Sequence, residues 1–232
     1  MKSILITGNR GFIASGLNLE ADGIDIKDGV DIISYKPKKR YDVVVHTAAL
    51  VSVTESIKYP DLYFRTNVEG TLNLLRQHPE AHFVYLSTCA VYGEGYHSAQ
   101  DKLLPTSPYA KSKVIGESAV RYFAKTWAIL RLTNVIGEGE RGEPNVYQIF
   151  EKEDVLPIYG DGEQTRDFIH VDKVRQTIKW AMMNTGIYNI GSGVSMRILD
   201  VAKSFNKPIK FLPERPGEIK HFGVTDALHY LT

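Results

Sequence analysis

The chain has 232 residues, of which 43% are hydrophobic and 24% charged, a composition that excludes disorder and collagen-like repeats. Its 28 Lys and Arg residues against 27 Asp and Glu residues leave a net charge of +1, so no general attraction to nucleic acid or to an anionic membrane is expected. The single cysteine, Cys89, cannot form an intramolecular disulfide or supply a thiolate cluster for zinc. This composition indicates a reducing, cytoplasmic setting and predicts no metal site.

The predicted elements alternate short apolar strands with longer amphipathic helices. The first apolar run, residues 4–6, is too short for a signal peptide, and no later stretch approaches a membrane span, so neither export nor anchoring is expected. Strands are predicted near residues 4–7, 41–46, 83–87, 128–132 and 188–190, and helices after Gly11 and over about 60–77, 109–126 and 172–183, the last with Asp172 as N-cap. This order predicts an α/β fold with a Rossmann-type, doubly wound parallel sheet.

Two irregular stretches interrupt this alternation. Glycine and proline are closely spaced over residues 138–164 and again over 207–217, which indicates loops and short elements. We expect them to form a small, discontinuous C-terminal cap that binds substrate. The expected division is a dinucleotide-binding domain of residues 1–137 and 168–186, and a cap of residues 138–167 and 187–232.

The first predicted strand leads into a glycine turn. Gly8 permits the turn, Gly11 permits close backbone approach, and Ala14 holds a third position where a methyl group is tolerated. The pattern predicts a helix whose N-terminal amides bind a pyrophosphate, although an ordinary strand–turn–helix corner would look similar. Asp25 follows the second predicted strand, where a carboxylate binds ribose hydroxyls and repels a 2′-phosphate. Unless Asp25 is merely a surface residue, NAD is favoured over NADP.

A tyrosine and a lysine stand four residues apart at the start of a predicted helix. Tyr109 and Lys113 therefore share one helix face. An ammonium beside a phenol favours phenolate, so we expect Lys113 to lower the pKa of Tyr109 and make it a general base. Thr88, at the end of a preceding strand, is placed to hydrogen-bond the same substrate oxygen. The alternative is a surface helix with an exposed lysine.

The ordered motifs together resemble the extended short-chain dehydrogenase/reductase family, which contains the nucleotide-sugar epimerases and dehydratases. The resemblance runs from Thr7 to about Asp226. Its motifs are the glycine turn with Phe12-Ile13, then His46-Thr47-Ala48-Ala49, Asn67-Val68-Glu69-Gly70-Thr71, Ser87-Thr88-Cys89-Ala90-Val91-Tyr92-Gly93, Tyr109 with Lys113, Arg131-Leu132-Thr133-Asn134, Gly160-Asp161-Gly162, Arg166-Asp167-Phe168-Ile169-His170-Val171, Tyr188-Asn189-Ile190-Gly191 and Arg215-Pro216-Gly217-Glu218.

The resemblance implies a role for each matching residue. The implied catalytic residues are Thr88, Tyr109 and Lys113. The implied cofactor-binding residues are Gly8, Gly11, Phe12, Ile13, Asp25, Asp31, Ile32, Ala48, Ala49, Asn67, Ser87, Tyr109 and Lys113. The implied nucleotide-sugar residues are Thr88, Asn134, Arg166 and Arg215, where a guanidinium suits a diphosphate. His46 and His170 are expected to be packing residues, and Cys89 a small buried one.

The expected reaction follows from which acid–base groups accompany the catalytic residues. In the similar 4,6-dehydratases, Asp and Glu follow the catalytic Thr, whereas Cys89 and Ala90 stand here, so dehydration is disfavoured. The motifs are closest to those of epimerases that act on UDP-glucose and UDP-galactose. The expectation is therefore NAD-dependent epimerisation of a UDP-hexose at carbon 4, by a homodimer. The alternatives are a nucleotide-sugar 4-ketoreductase and a non-catalytic dinucleotide-binding relative.

Overall fold

The computed structural model describes residues 2–139, 144–215 and 219–228. Within these ranges the strands are β1 (Ile4–Thr7), β2 (Asp22–Ile24), β3 (Val43–His46), β4 (His82–Thr88), β5 (Gly95–His97), β6 (Thr126–Leu132), β7 (Asn134–Ile136), β8 (Leu156–Tyr159), β9 (Thr165–His170), β10 (Gly186–Ile190), β11 (Ser195–Arg197), β12 (Ile209–Leu212) and β13 (Phe222–Val224). The α-helices are α1 (Val53–Lys58), α2 (Pro60–Phe64), α3 (Gly70–Gln77), α4 (Pro108–Phe123), α5 (Val146–Lys152), α6 (Val171–Ala181) and α7 (Ile198–Ser204).

A six-stranded parallel sheet forms the centre, in the order β10-β6-β4-β3-β1-β2. Its middle strand β3 is buried on both faces, as expected of a parallel sheet covered on both sides by other elements. Alternate residues point to opposite faces, so that Val45 packs with Val174 of α6 and Val44 with Leu74 of α3. The predicted Rossmann-type sheet is confirmed.

The helix predicted after Gly11 is wrong. Residues 8–21 contain only one 3-10 turn, Ala14–Gly16, between β1 and β2. Two residues explain why it stops there: Gly16 has a low helix propensity, and Asn18 takes a left-handed conformation with φ of 47°. The first crossover is therefore a compact loop.

The later helices agree with the prediction except in their details. The helix predicted over 60–77 consists of α2, a π-helical segment (Arg65–Glu69) and α3. Helix α6 begins one residue before Asp172, because the ring of His170, rather than Asp172, caps it by accepting a hydrogen bond from the Asp172 amide. Ser107 caps α4 in the same way, and Pro108 occupies its first turn.

Smaller sheets contain the strands that lie outside the central sheet, and the predicted division into two domains stays a prediction. Strands β11, β9 and β7 form one such sheet, and β12 pairs with β8, over a core that includes Phe150 and Val201. Strand β10 belongs to the central sheet through its pairing with β6, so the expected boundary after residue 186 divides a strand and must move to its end. Part of the irregular stretch predicted near 138–164 lies outside the described residues.

Candidate active site

The turn after β1 lies where the carboxyl ends of β1 and β3 meet. Gly8 adopts φ of +69°, and a Cβ added there would lie 2.8 Å from the Ala48 backbone. The Gly8 amide donates to the carbonyl of Ile24 at the end of β2. The Thr7 hydroxyl accepts from the Ala48 amide. Gly8 is thus required by close backbone packing, at the sheet edge where parallel α/β sheets bind ligands.

Gly11 closes the turn with a hydrogen bond from its amide to the Gly8 carbonyl, at 2.9 Å. Gly11 is exposed, while Phe12 and Ile13 are half-buried. The helix expected to present its amides to a pyrophosphate is reduced to the 3-10 turn. The loop backbone itself is therefore what this site can offer to a dinucleotide.

Asp25 lies at the end of β2 and is only 7% exposed, so it is not the surface residue of the alternative interpretation. Its two carboxylate oxygens accept hydrogen bonds from the backbone amides of Arg10 and Lys27, at 3.0 and 2.9 Å. A carboxylate has further acceptor capacity, so ribose hydroxyls remain compatible with these two bonds. The Arg10 bond also fixes Asp25 directly to the glycine turn.

The other predicted cofactor residues differ in how much they can offer. Ala48 and Ala49 are half-buried after β3, and Asp31 accepts a hydrogen bond from the Ile33 amide. The Ile32 side chain is buried and packs directly against Gly70, where an added Cβ would lie only 2.6 Å from its Cδ1. The Ile32 side chain is therefore part of the core beside α3, and its implied contact with the cofactor stays a prediction.

Asn67 is buried in the π-helical segment and uses its whole amide within the protein. Its Oδ1 accepts from the Leu50 amide at 2.9 Å, and its Nδ2 donates to the Leu50 carbonyl and the Ser112 hydroxyl. These bonds tie the chain after β3 to α4. Asn67 thus positions backbone, and its implied role in cofactor binding stays a prediction.

The three predicted catalytic residues come together at the end of β4 and the start of α4. The Thr88 side chain lies close enough to the Tyr109 phenol to favour its ionised form. The Tyr109 ring is 8% exposed and packs edge-on against Tyr63. Lys113, one turn along α4, is 4% exposed, with its Nζ 4.3 Å from the centre of the Tyr85 ring. A cation over an aromatic face is stabilised by the ring quadrupole.

The pKa of Tyr109 departs from the expectation. Burial raises it to about 12, while the nearby Thr88 side chain acts in the opposite direction. Burial also lowers the pKa of Lys113 to about 7, against the favourable charge of Glu117. Lys113 loses much of its charge near neutral pH, so it does not lower the tyrosine pKa as the spacing predicts. The phenol of Tyr109 is therefore protonated at neutral pH in this structure.

A buried ion pair behind these residues was not predicted. Arg131 and Glu117 are 3% and 2% exposed, and their charged groups lie 2.7 Å apart. The Ser87 hydroxyl donates to the same carboxylate at 2.5 Å. Arg131 also donates to the Tyr92 hydroxyl. The proton of the Ser87 hydroxyl is consequently used within the protein, and the implied role of Ser87 in cofactor binding stays a prediction.

Two other sequence motifs supply internal packing. His46 is buried between the hydroxyls of Thr7 and Thr71, 2.7 and 2.9 Å from its two ring nitrogens. Burial lowers the pKa of His46 to about 3, so the imidazole is neutral. The Cys89 thiol is fully buried, donates to the Arg131 carbonyl and has its pKa raised well above the usual value by burial. Both environments fit the packing roles expected.

We expect the free energy of unfolding to decrease as the pH falls below 6.5, by about 2–3 kcal/mol at pH 4.5. The unfolded chain protonates His46 near its ordinary pKa, whereas the folded protein cannot do so until about pH 3. Urea unfolding of the wild type and of His46→Gln at pH 7 and 4.5 measures this contribution, with the exposed His221→Gln as control. An equal loss of stability in all three proteins would contradict it.

Of the predicted substrate residues, Thr88 ends β4 of the central sheet, and the other three lie on or beside the smaller sheets. Asn134 on β7 donates to the Asp167 carbonyl, beside Arg166 on the paired strand β9. Arg166 donates to the carbonyls of Thr165 and Lys220. Arg215 follows β12, and its guanidinium lies 3.7 Å from the centre of the Tyr159 ring. Asn134 and Arg166 thus lie on paired strands, with Asn134 opposite Phe168. Arg215 is exposed and lies on the Tyr159 ring, beside the glycine-rich loop after β8.

Comparison with known proteins defines the class. The model of the NAD dependent epimerase/dehydratase family matches residues 18–191, and the chain belongs to this family. Among curated relatives, UDP-glucose 4-epimerase 2 of Oryza sativa subsp. japonica is 30% identical over 246 residues, covering 87% of this chain. The chain spans 60% of that relative's length.

Solved structures show the same architecture. The NAD-dependent NDP-hexosamine 5,6-dehydratase TunA, involved in tunicamycin biosynthesis, is 29% identical, with a TM-score of 0.86 over 99% of this chain and 89% of the other. UDP-glucose 4-epimerase of Thermus thermophilus, in a complex with NAD, is 27% identical, with a TM-score of 0.81 over 94% of this chain and 89% of the other. Among the described residues, no helix has the length and apolar character of a membrane span.

Proposed function

We propose that this protein is an NAD-dependent nucleotide-sugar epimerase that inverts carbon 4 of a UDP-hexose, of the UDP-glucose/UDP-galactose type. The observation that carries the proposal is the grouping of Thr88, Tyr109 and Lys113 around the carboxyl end of β4, on the same edge of the parallel sheet as the glycine turn after β1. The family match and the epimerase relatives support it.

The turn residues fit NAD as the cofactor. Gly8 and Gly11 keep side chains out of the loop, and the buried Asp25 carboxylate disfavours a 2′-phosphate. Bound NAD supplies a reversible hydride acceptor. The chain's own residues supply binding and proton transfer.

In the proposed reaction, Tyr109 first loses its own proton, and the phenolate then accepts the proton of the carbon-4 hydroxyl while the hydride leaves that carbon, which gives a 4-keto sugar. Thr88 donates a hydrogen bond to the same oxygen. Lys113, whose pKa of about 7 leaves part of it protonated at neutral pH, would stabilise this phenolate in its charged form. Return of the hydride to the other face of carbon 4, and of the proton from Tyr109, completes the inversion without net oxidation.

The two residues after Thr88 disfavour dehydration. Elimination of water needs one group to take a proton and another to give one. Cys89 is fully buried, with a thiol pKa raised well above its usual value, and the methyl group of Ala90 carries no proton that can be exchanged. Epimerisation needs neither group, so it is the simpler outcome for this chain.

Arg215→Ala is expected to raise the KM for the UDP-sugar about 10- to 100-fold, with a smaller change in kcat, as for loss of a charged hydrogen bond. The guanidinium is exposed and stacked on Tyr159, so the fold should tolerate its loss. Steady-state kinetics measures the effect. Arg197→Ala, another partly exposed cap arginine that pairs with Asp200, serves as control, and equal KM values in both variants would remove Arg215 from the site.

A homodimer is part of the proposal. Large apolar side chains lie exposed on α1, α2 and α4, among them Ile57, Leu62, Ile115 and Phe123. These helices contact one another on one side of the sheet, and exposed apolar patches of this kind mark protein interfaces.

A cytoplasmic location is also proposed, since the reduced thiol of Cys89 suits that compartment.

The decisive test is proton NMR of the purified protein with UDP-galactose and with UDP-N-acetylglucosamine, without reductant, and with or without added NAD. Formation of the carbon-4 epimer without net redox change would support the proposal. Conversion only of a 4-keto sugar in the presence of a reduced cofactor would instead identify a ketoreductase. Binding of NAD without turnover of any of these sugars would identify a non-catalytic relative.

A further inference from the structure

Arg175 on α6 extends its guanidinium to the backbone of the glycine turn. Its Nε donates to the Ile13 carbonyl at 3.0 Å and its Nη2 to the Phe12 carbonyl at 2.9 Å. The remaining nitrogen, Nη1, pairs with Asp172 at 2.9 Å. The side chain is 17% exposed. All three nitrogens thus have partners, which fixes the guanidinium in one orientation.

The carbonyls of Phe12 and Ile13 can accept from the Arg175 side chain because no α-helix continues after Gly11. In an α-helix, Phe12 and Ile13 would accept from the amides four residues on, those of Gly16 and Leu17. Here the Leu17 amide donates to Ala14 instead, at 3.0 Å. Arg175 therefore provides the hydrogen bonds that a continuing helix would have made.

Gly16 is part of the same arrangement. A Cβ added at Gly16 would lie 2.3 Å from Cζ of Arg175, so a larger residue would displace the guanidinium. A distant segment, α6, is in this way fastened to the residues that directly follow Gly11. These are the residues that must hold the turn open to a dinucleotide.

We propose that Arg175 is a positioning residue for NAD, which holds the glycine turn in its binding conformation in place of the absent first helix. The proposal rests on the NAD binding of the proposed function. A loop that is already ordered loses less conformational entropy when a ligand binds. Loss of the guanidinium should therefore weaken the binding of NAD and leave proton transfer at Tyr109 unchanged.

The test is isothermal titration calorimetry of NAD with the full chain, together with the NAD content of the purified protein. Arg175→Met is expected to raise the Kd about tenfold or more and lower the NAD content, while kcat at saturating NAD stays within about threefold. Gly16→Ala should act in the same direction with the arginine still present. Arg175→Lys, which keeps the charge and one donor group, should recover part of the affinity.

Arg197→Met removes an arginine with a similar Asp pair from the cap and should leave the Kd unchanged. An unchanged Kd in both Arg175→Met and Gly16→Ala, even with a lower Tm, would overturn the proposal. The same holds if kcat at saturating NAD falls as much as affinity. Failure of the wild type to bind NAD would overturn the proposed cofactor and this inference together, whereas failure of the variants to differ overturns the inference alone.

Discussion

Tyr109→Phe is expected to reduce kcat by about 10³-fold, within the range for removal of a general acid–base group. The phenol next to Thr88 carries the proton of the sugar hydroxyl in the proposed reaction, and phenylalanine cannot. The ring itself should remain in place, because its contacts are the edge-on packing against Tyr63 and burial within the start of α4. The Kd for NAD should therefore change little.

A matched substitution on the same helix provides the control. Tyr122 is 82% exposed, so Tyr122→Phe removes the same atom without touching the site and should leave kcat unaltered. The variants are compared by NMR assay of epimer formation and by NAD titration. Full turnover in Tyr109→Phe would show that another group transfers the proton.

Glu117→Leu is expected to lower the free energy of unfolding by about 3–5 kcal/mol, the usual result of leaving a buried charge unpaired. Arg131 would lose its partner at 2.7 Å while remaining 3% exposed. The Ser87 hydroxyl would lose its acceptor at the same time. This is the largest effect on stability that we expect from a single substitution behind the site.

The double variant Glu117→Leu/Arg131→Met should be more stable than Glu117→Leu, because it removes both charges from the interior. Lys125→Met provides the comparison, since its ion pair with Glu80 is on the surface and such pairs contribute about 0–1 kcal/mol. Denaturant unfolding at pH 7 measures all three. A small loss in Glu117→Leu, similar to that in Lys125→Met, would mean that water or a shift of the helix compensates the charge.

The central sheet could be predicted because its strands are short runs of buried apolar residues, such as Val43–His46, between polar turns. The short first crossover could not be predicted. Ile13 and Leu17 have the spacing of a helix, but Gly16 and Asn18 stop the helix after one turn. Periodicity identifies the face of a helix better than its length.

The grouping of Tyr109 with Lys113 could be predicted from the sequence because both residues lie on one helix, four residues apart. The hydrogen bond from the Ser87 hydroxyl could not be predicted, because its acceptor Glu117 lies on a different element. The same holds for the pKa of Tyr109, which depends on how much of the protein buries it. The role of Arg175 could not be predicted either, because its partners Phe12 and Ile13 are more than 160 residues away in the sequence.

The compact first crossover also bears on how the protein folds. Parallel neighbours need a connection of at least about a dozen residues, and residues 8–21 come close to that minimum. Leu5 accordingly pairs with Asp22, whereas its other partner, Val44, arrives much later in the chain. The entropy lost on closing a loop grows with the loop's length, so the β1–β2 edge of the sheet has the lowest entropic barrier of the central pairings. The β1–β2 pair is therefore the most local contact of the central sheet, and each later strand of that sheet pairs with one that comes earlier in the chain.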